Sequence, residues 1–183
     1  KYGVVDEHGQ PAKGTPVDIK IEHEVTQAAR VKGAGNAYLT QYHTDWEAAA
    51  TCQGNSEEAP LTCSFTPDKS GHYRVVAVIN DTKGNSHNTT LESYAVGKDY
   101  VMWDSGTDSS LTIIPQTKDY KVGATARFLV KNPSPGAKPL ITVERFGVLD
   151  HFVQTFDSST PIIELKLKPD YTPGFSLSVL SYS

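Results

Sequence analysis

No run of apolar residues in this chain of 183 approaches the ~18–20 needed to cross a bilayer as a helix. That argues against direct membrane insertion. No basic stripe is present, and the net charge is -4 with 21% charged residues. These values suit neither a nucleic-acid partner nor a disordered acidic tail. Helical patterning is almost absent, because no window places apolar residues at i, i+3, i+4 and i+7 between capping residues. No signal peptide precedes Lys1, so the chain is expected to begin inside a longer protein. Cysteine occurs only twice, and hydrophobic residues make up 38%, which suits small, thin cores rather than one large one.

What is present is alternation. Val17, Ile19 and Ile21 share one face of "VDIKIE", and Tyr73, Val75, Ala77 and Ile79 share one face of "HYRVVAVIND". Ala126, Phe128 and Val130 do the same in "ARFLVK", Ile163, Leu165 and Leu167 in "IIELKLK", and Phe175, Leu177 and Val179 in "FSLSVLS". Period two with one polar face marks antiparallel sheets buried on one side. Turn clusters such as "TPDKSG", "NDTKGNS" and "NPSPGAKP" separate the runs, so many short strands are expected. The fold class expected is all-β: two tandem antiparallel β-sandwiches of immunoglobulin or fibronectin-III type, over residues 1–97 and 98–183. The halves look repeat-like. "GTPVDIKIEHE" from Gly14 matches "GATARFLVKNP" from Gly123, and the stretch around Gly71 matches that around Gly174. The second unit is expected to lack its last strand. Charge and proline in "KPLITVER" and "LKLKPD" suggest guarded sheet edges.

Near Gly97, Tyr100 and Trp103 are placed to fill a seam between the domains, with residues 97–106 as a candidate hinge; the alternative for Trp103 is an exposed strand position. Cys52 and Cys63 bracket a polar, turn-forming stretch, which suits a local disulfide and an extracytoplasmic compartment; two free thiols are the other reading.

Tests for chemistry return little. Neither G-x-S-x-G nor a P-loop occurs. "GAGNAY" has Gly33 and Gly35 but Tyr38 where a dinucleotide loop needs glycine, so a mobile loop is expected there. "HEVTQ" at His23 has Gln27 in place of the second zinc ligand and continues a strand. His8, His43, His72, His87 and His151 read as surface or turn histidines, and Asp104 with Asp108 as part of a solvated linker rather than a calcium loop. No catalytic residue, metal site or cofactor is expected. Asn80-Asp81-Thr82 and Asn88-Thr89-Thr90 are glycosylation sequons in form, whereas Pro133 blocks the one at Asn132.

The stretch over residues 120–183 carries a family likeness. It opens with "YKVGATA", continues with "NPSPGAKPLITVER" and closes with "DYTPGFSLSV". It resembles a macroglobulin-like domain of bacterial alpha-2-macroglobulins. "GQPAKGTPVDIKI" and "CSFTPDKSGHYRVVAVINDTKGN" resemble the preceding domain of that family, cysteine pair included. The resemblance implies two adjacent macroglobulin-like domains of a large, periplasmic or envelope-associated, membrane-anchored bacterial defence protein. In that family a protease cuts a bait region and is trapped by the rearrangement, in many members with a Cys-x-Glu-Gln thioester. Neither cysteine here begins such a motif, and no bait region is recognisable. The implied role is a non-catalytic scaffold fragment whose partners are neighbouring domains of the parent and, through the whole parent, proteases. Two alternatives are an adhesin-like module and a carbohydrate-binding module. For the second, Tyr38, Tyr42 and Trp46 recur at four-residue spacing; packing over the core or the disulfide loop is the plainer account of them.

Overall fold

A computed structural model of the chain describes residues 1–81, 83–104 and 110–181. Regular structure among them is all-β apart from 3₁₀ turns at Ala34–Asn36 and Pro169–Tyr171. The strands are β1 (Pro16–Lys32), β2 (Tyr38–Asn55), β3 (Gly71–Asn80), β4 (Ser86–Ala95), β5 (Thr112–Pro115), β6 (Thr125–Lys131), β7 (Leu140–Glu144), β8 (Val148–Val153), β9 (Ile162–Lys166) and β10 (Ser176–Leu180). The chain divides into two compact units, Lys1–Val25 with His43–Ala95, and Thr26–Tyr42 with Val96–Ser183. Each has its own core.

The first unit is built on one four-stranded sheet in the order β2-β1-β3-β4. Its core face is the one expected from alternation: Val17, Ile19, Ile21 and Tyr73 are buried, with Val75, Ala77 and Ile79 packed against them. The register pairs Val17 with Ile79 and Ile21 with Val75, so these side chains meet across strands. Irregular segments back this face, tied by bridges between Tyr2 and Leu61 and between Val5 and Pro11. Buried Ser56 locks the entry to β1. Its hydroxyl donates to the Ala12 carbonyl and accepts from the Thr15 amide at 2.9 Å. Gly54 allows the Tyr2 hydroxyl to approach, since a Cβ there would lie 2.8 Å from it.

Cys52 and Cys63 form a disulfide, with Cα atoms 6.2 Å apart and both residues packed on the core. Cys52 lies within β2 rather than in a loop. Replacing both cysteines by alanine is expected to cost about 2–3 kcal/mol through a looser unfolded chain. Denaturant melts read by Trp46 and Trp103 fluorescence should place that loss in the first unit; a loss below 0.5 kcal/mol would count against a stabilising role.

Strand length departs from expectation. β1 and β2 run for 17 and 18 residues, where ~5–6 is usual. The cause is the absence of breakers: no glycine or proline interrupts the sequence between Pro16 and Gly33 or between Tyr38 and Gln53. Residues 33–38, expected as a mobile loop, form the tight tip of this hairpin, with the Gly33 amide bonded to the Ala37 carbonyl at 2.7 Å and Gly35 at φ 70.

The second unit is a sandwich of two three-stranded sheets, β10-β7-β8 and β5-β6-β9. Their inner faces share one core of Ala126, Phe128, Val130, Ile141, Val143, Phe156, Ile163, Leu165, Leu167 and Tyr171. Phe175, Leu177 and Val179 pack against it as alternation required. Two expectations are corrected. The repeat does not extend to pairing: the strands after Gly14 and Gly71 are antiparallel neighbours, whereas those after Gly123 and Gly174 lie in different sheets. "KPLITVER" is not an edge either, since β7 is the central strand of its sheet, while β9 is an edge.

Candidate functional site

Three arrangements concentrate polar chemistry. The first lies on the outer face of the four-stranded sheet. Glu22 and Glu24 project there from β1, His72 and Arg74 from β3, and Tyr94 from β4, at even positions opposite the core residues. Arg74 donates from Nε to Glu22 at 2.6 Å, and its guanidinium lies 4.2 Å from the Trp46 ring centroid. His72 is corrected from a surface histidine to a buried one. Its Nδ1 is 2.7 Å from Glu24 Oε2, and its Nε2, 3.7 Å from a Glu92 oxygen, has no hydrogen-bond partner among the described residues. The ring stacks on Tyr94 at 4.5 Å and meets Trp46 edge-on at 5.2 Å. Burial pushes the Tyr94 hydroxyl above its ordinary pKa, and the Glu92 and Glu24 charges add to this.

Trp46 thus packs against Arg74 and His72, away from both core and disulfide loop, whereas Ala50 and Cys52 pack on the core. The sugar-binding strip does not materialise as a flat platform. Arg74 covers Trp46, Tyr42 is half-buried, and Tyr38 alone is largely exposed. His23 turns inward, with Nε2 3.0 Å from the Ser70 carbonyl and its ring against Tyr73. The hydrogen bonds of buried His72 and half-buried His23 therefore go to Glu24 and to a backbone carbonyl. A general base would instead hold a nucleophile's proton. Among the described residues no group of three His, Cys, Asp or Glu side chains is placed to hold a metal ion.

The second arrangement anchors the segment after Gly97. Trp103 is buried, its Nε1 donates to the Ser159 carbonyl at 2.7 Å, and the Lys131 ammonium lies 4.9 Å from its ring centroid. The Ser159 hydroxyl accepts from the Val101 amide at 2.8 Å and donates to the Asp99 carbonyl at 3.2 Å. Thr160 engages both amide and carbonyl of Gly97. Residues 97–103 are therefore pinned to the second unit, which leaves little freedom for a hinge in that part of the linker. Gly106 of the candidate hinge and Asp108 of the linker lie outside the described residues, as does Thr82 of the first sequon. Tyr100 is 63% exposed, in contrast to Trp103. Asn132 is buried and donates to the Ser158 carbonyl at 2.8 Å.

The third is Asp150, Lys168 and Tyr171. Lys168 Nζ and the Tyr171 hydroxyl donate to Asp150 Oδ2 at 2.6 and 3.2 Å. Lys168, then the His151 amide, hold the Asp150 carboxyl below the usual carboxylate range, and Asp150 raises Lys168 in return. A depressed carboxylate contributes stability above its unfolded pKa of about 3.9 and loses it as pH falls through the folded value. A raised lysine contributes fully below about 10.4 and loses it as pH climbs past the folded value. Asp150→Asn should therefore lower the thermal midpoint by a constant amount near neutrality. The gap to the parent chain should close in acid and in strong base. A gap unchanged down to pH 2 would refute the linkage.

Beyond these, an apolar depression of about 880 Å³ opens on the core face of the first unit, lined by residues such as Val4, Phe65, Val75, Ala77 and Leu91. No helix in the described chain is long and apolar enough to cross a membrane.

Residues 111–183 match the Alpha-2-macroglobulin bait region domain. The whole chain is similar to the alpha-2-macroglobulin homolog of Nostoc sp., with 20% identity over 177 residues, covering 97% of this chain and 9% of that protein. Among solved structures it is similar to Salmonella alpha-2-macroglobulin reacted with methylamine. That likeness has a TM-score of 0.38 and 12% identity, over 96% of this chain and 12% of the other. The chain thus spans about a tenth of the length of these relatives. No bait region was recognisable from the residues alone; the match covers residues 111–183, a part of the second unit. The sequence signal for it was the run from "YKVGATA" to "FSLSV".

Proposed function

We propose that the chain is a non-catalytic scaffold fragment of an alpha-2-macroglobulin-like protease trap of the bacterial cell envelope. The observation that carries this reading is similarity to an alpha-2-macroglobulin homolog along 97% of the chain, joined to the bait region domain match over residues 111–183. The polar clusters support it, since they tie strands together rather than gather a nucleophile, a base and an open pocket. Two macroglobulin-like domains would serve as rigid bodies in a parent that rearranges when cut. Trp103 fastens the linker to its own unit, and the exposed ring of Tyr100 keeps its proposed place in the inter-domain seam. The disulfide suits a periplasmic setting. Partners are neighbouring parent domains and, through the parent, proteases; no nucleic acid and no cofactor enter.

The test uses the full-length parent. Incubated with trypsin, it should suppress cleavage of a large protein substrate while leaving a small chromogenic peptide accessible, because an entrapped enzyme is shielded by size. A parent that leaves casein digestion unchanged at equimolar trypsin would remove this function.

A further inference from the structure

We propose that the apolar depression on the core face of the first unit is a binding trough for a free long-chain fatty acid. The cover of this face is one-sided. Over β1 it is closed: Val17, Ile19 and Ile21 are buried, with Tyr2, Val4, Cys63 and Phe65 packed against them. Over β3 and β4 it is open. Val75, Ala77 and Ile79 are only half-buried, and their β4 partners Leu91, Thr89 and His87 are exposed. Leu91 is 65% exposed although it stands opposite Val75 on the apolar face. The result is a trough of about 880 Å³, floored by the sheet and bordered by residues 1–5 and by Phe65 and Pro67. It follows β4 from His87 to Ala95, roughly 27 Å at ~3.4 Å per residue. Concave, largely apolar sites of ~300–1,000 Å³ are the usual form of a small-ligand site.

The lining selects the ligand. A peptide laid on this floor would bury backbone N–H and C=O groups against side chains, because the β3 backbone is already paired with β1 on one side and β4 on the other. An acyl chain carries no such groups, so its burial leaves nothing polar unsatisfied. For a head group the trough offers positive charge. Lys1 and His87 line it, and no Asp or Glu does among the described residues. His87 has Asp81 3.6 Å away, whereas Lys1 has no ion-pair partner among the described residues. Glu22, Glu24 and Glu92 of the same sheet stand on its opposite face. A carboxylate head therefore meets a complementary charge, and an ammonium head meets a like one. The trough lies in the first unit, outside residues 111–183, so the proposal stands or falls apart from the trap reading.

The test is isothermal titration calorimetry of the full 183-residue chain with myristate, kept below the concentration at which it forms micelles. A myristoyl chain enters a bilayer with a constant of ~10⁴ M⁻¹, so saturable binding with a Kd on the order of 100 µM or tighter is expected. Tetradecyltrimethylammonium, with the same chain length and the opposite head charge, should bind about tenfold more weakly or worse. Thr89→Trp fills the trough from an exposed position and should abolish myristate binding. Leu91→Glu, also at an exposed position, should weaken myristate about tenfold and remove the preference for the anion. Circular dichroism melts establish that each variant is folded, and the two amphiphiles compared on the unaltered chain decide the matter without any variant. No saturable binding of myristate, equal binding of the two amphiphiles, or undiminished myristate binding by folded Thr89→Trp would overturn the proposal.

Discussion

Phe156→Ala is expected to destabilise the second unit by about 3–5 kcal/mol, the range for removing a fully buried aromatic ring and leaving a cavity. The ring is 0% exposed and sits in the shared core of the two sheets. Its backbone is equally committed: the Phe156 amide bonds the Ala137 carbonyl at 2.9 Å, and its own carbonyl accepts from the Gly136 amide at 2.7 Å. The surrounding positions Ile141, Val143 and Ile163 are also fully buried, which leaves little room for collapse into the space. Against a typical total of ~5–15 kcal/mol, this loss would remove a large share of the unit's stability. Urea titration followed by circular dichroism measures it, with the midpoint falling and the slope unchanged. A loss under 1 kcal/mol would show that the ring is not enclosed.

Trp103→Ala should cost a similar ~3–5 kcal/mol, and Trp103→Phe separates the causes. The phenylalanine keeps most of the buried ring but has no N–H for the Ser159 carbonyl, now held at 2.7 Å. The Ser159 carbonyl keeps the Asn132 amide as a donor at 3.1 Å, so the loss is that of one net hydrogen bond, about 0.5–1.5 kcal/mol. Ser159 itself is 1% exposed, so water cannot readily replace the lost donor. The expected order is therefore parent above Trp103→Phe above Trp103→Ala, read by thermal melts. Equal midpoints for the parent and Trp103→Phe would mean the hydrogen bond contributes nothing. Equal midpoints for all three would return Trp103 to the exposed strand position considered from the sequence.

The two residues differ in how visible they were. Trp103 attracts notice in any sequence as a rare aromatic beside a glycine-bearing linker. Phe156 lies in "QTFDSSTP", which has the composition of a solvated turn. The same stretch supplies Ser159 and Thr160, polar residues that are buried because the backbone and Trp103 satisfy them. His72 was misplaced for a related reason. Its partner Glu24 is 48 residues away, and nothing local announces that the sheet will bring them within 2.7 Å. Tyr94 and Trp46 complete that cluster only because β4 and β2 flank β3 and β1 at the two edges of the sheet.

The sequence by itself determined the all-β class and the inward face of β1, β3, β6, β9 and β10, because period-two alternation is a property of neighbouring residues and needs no knowledge of the rest of the chain. It also determined the length of the long hairpin, through fifteen or so uninterrupted strand-compatible positions on each side, although that signal went unread. Tertiary structure alone decided which strands pair, that the Gly14/Gly71 and Gly123/Gly174 strands are joined in one unit and separated in the other, and which polar residues go inside. Those choices rest on contacts between residues far apart in the chain, whose energies depend on packing and hydrogen bonding that local pattern does not encode.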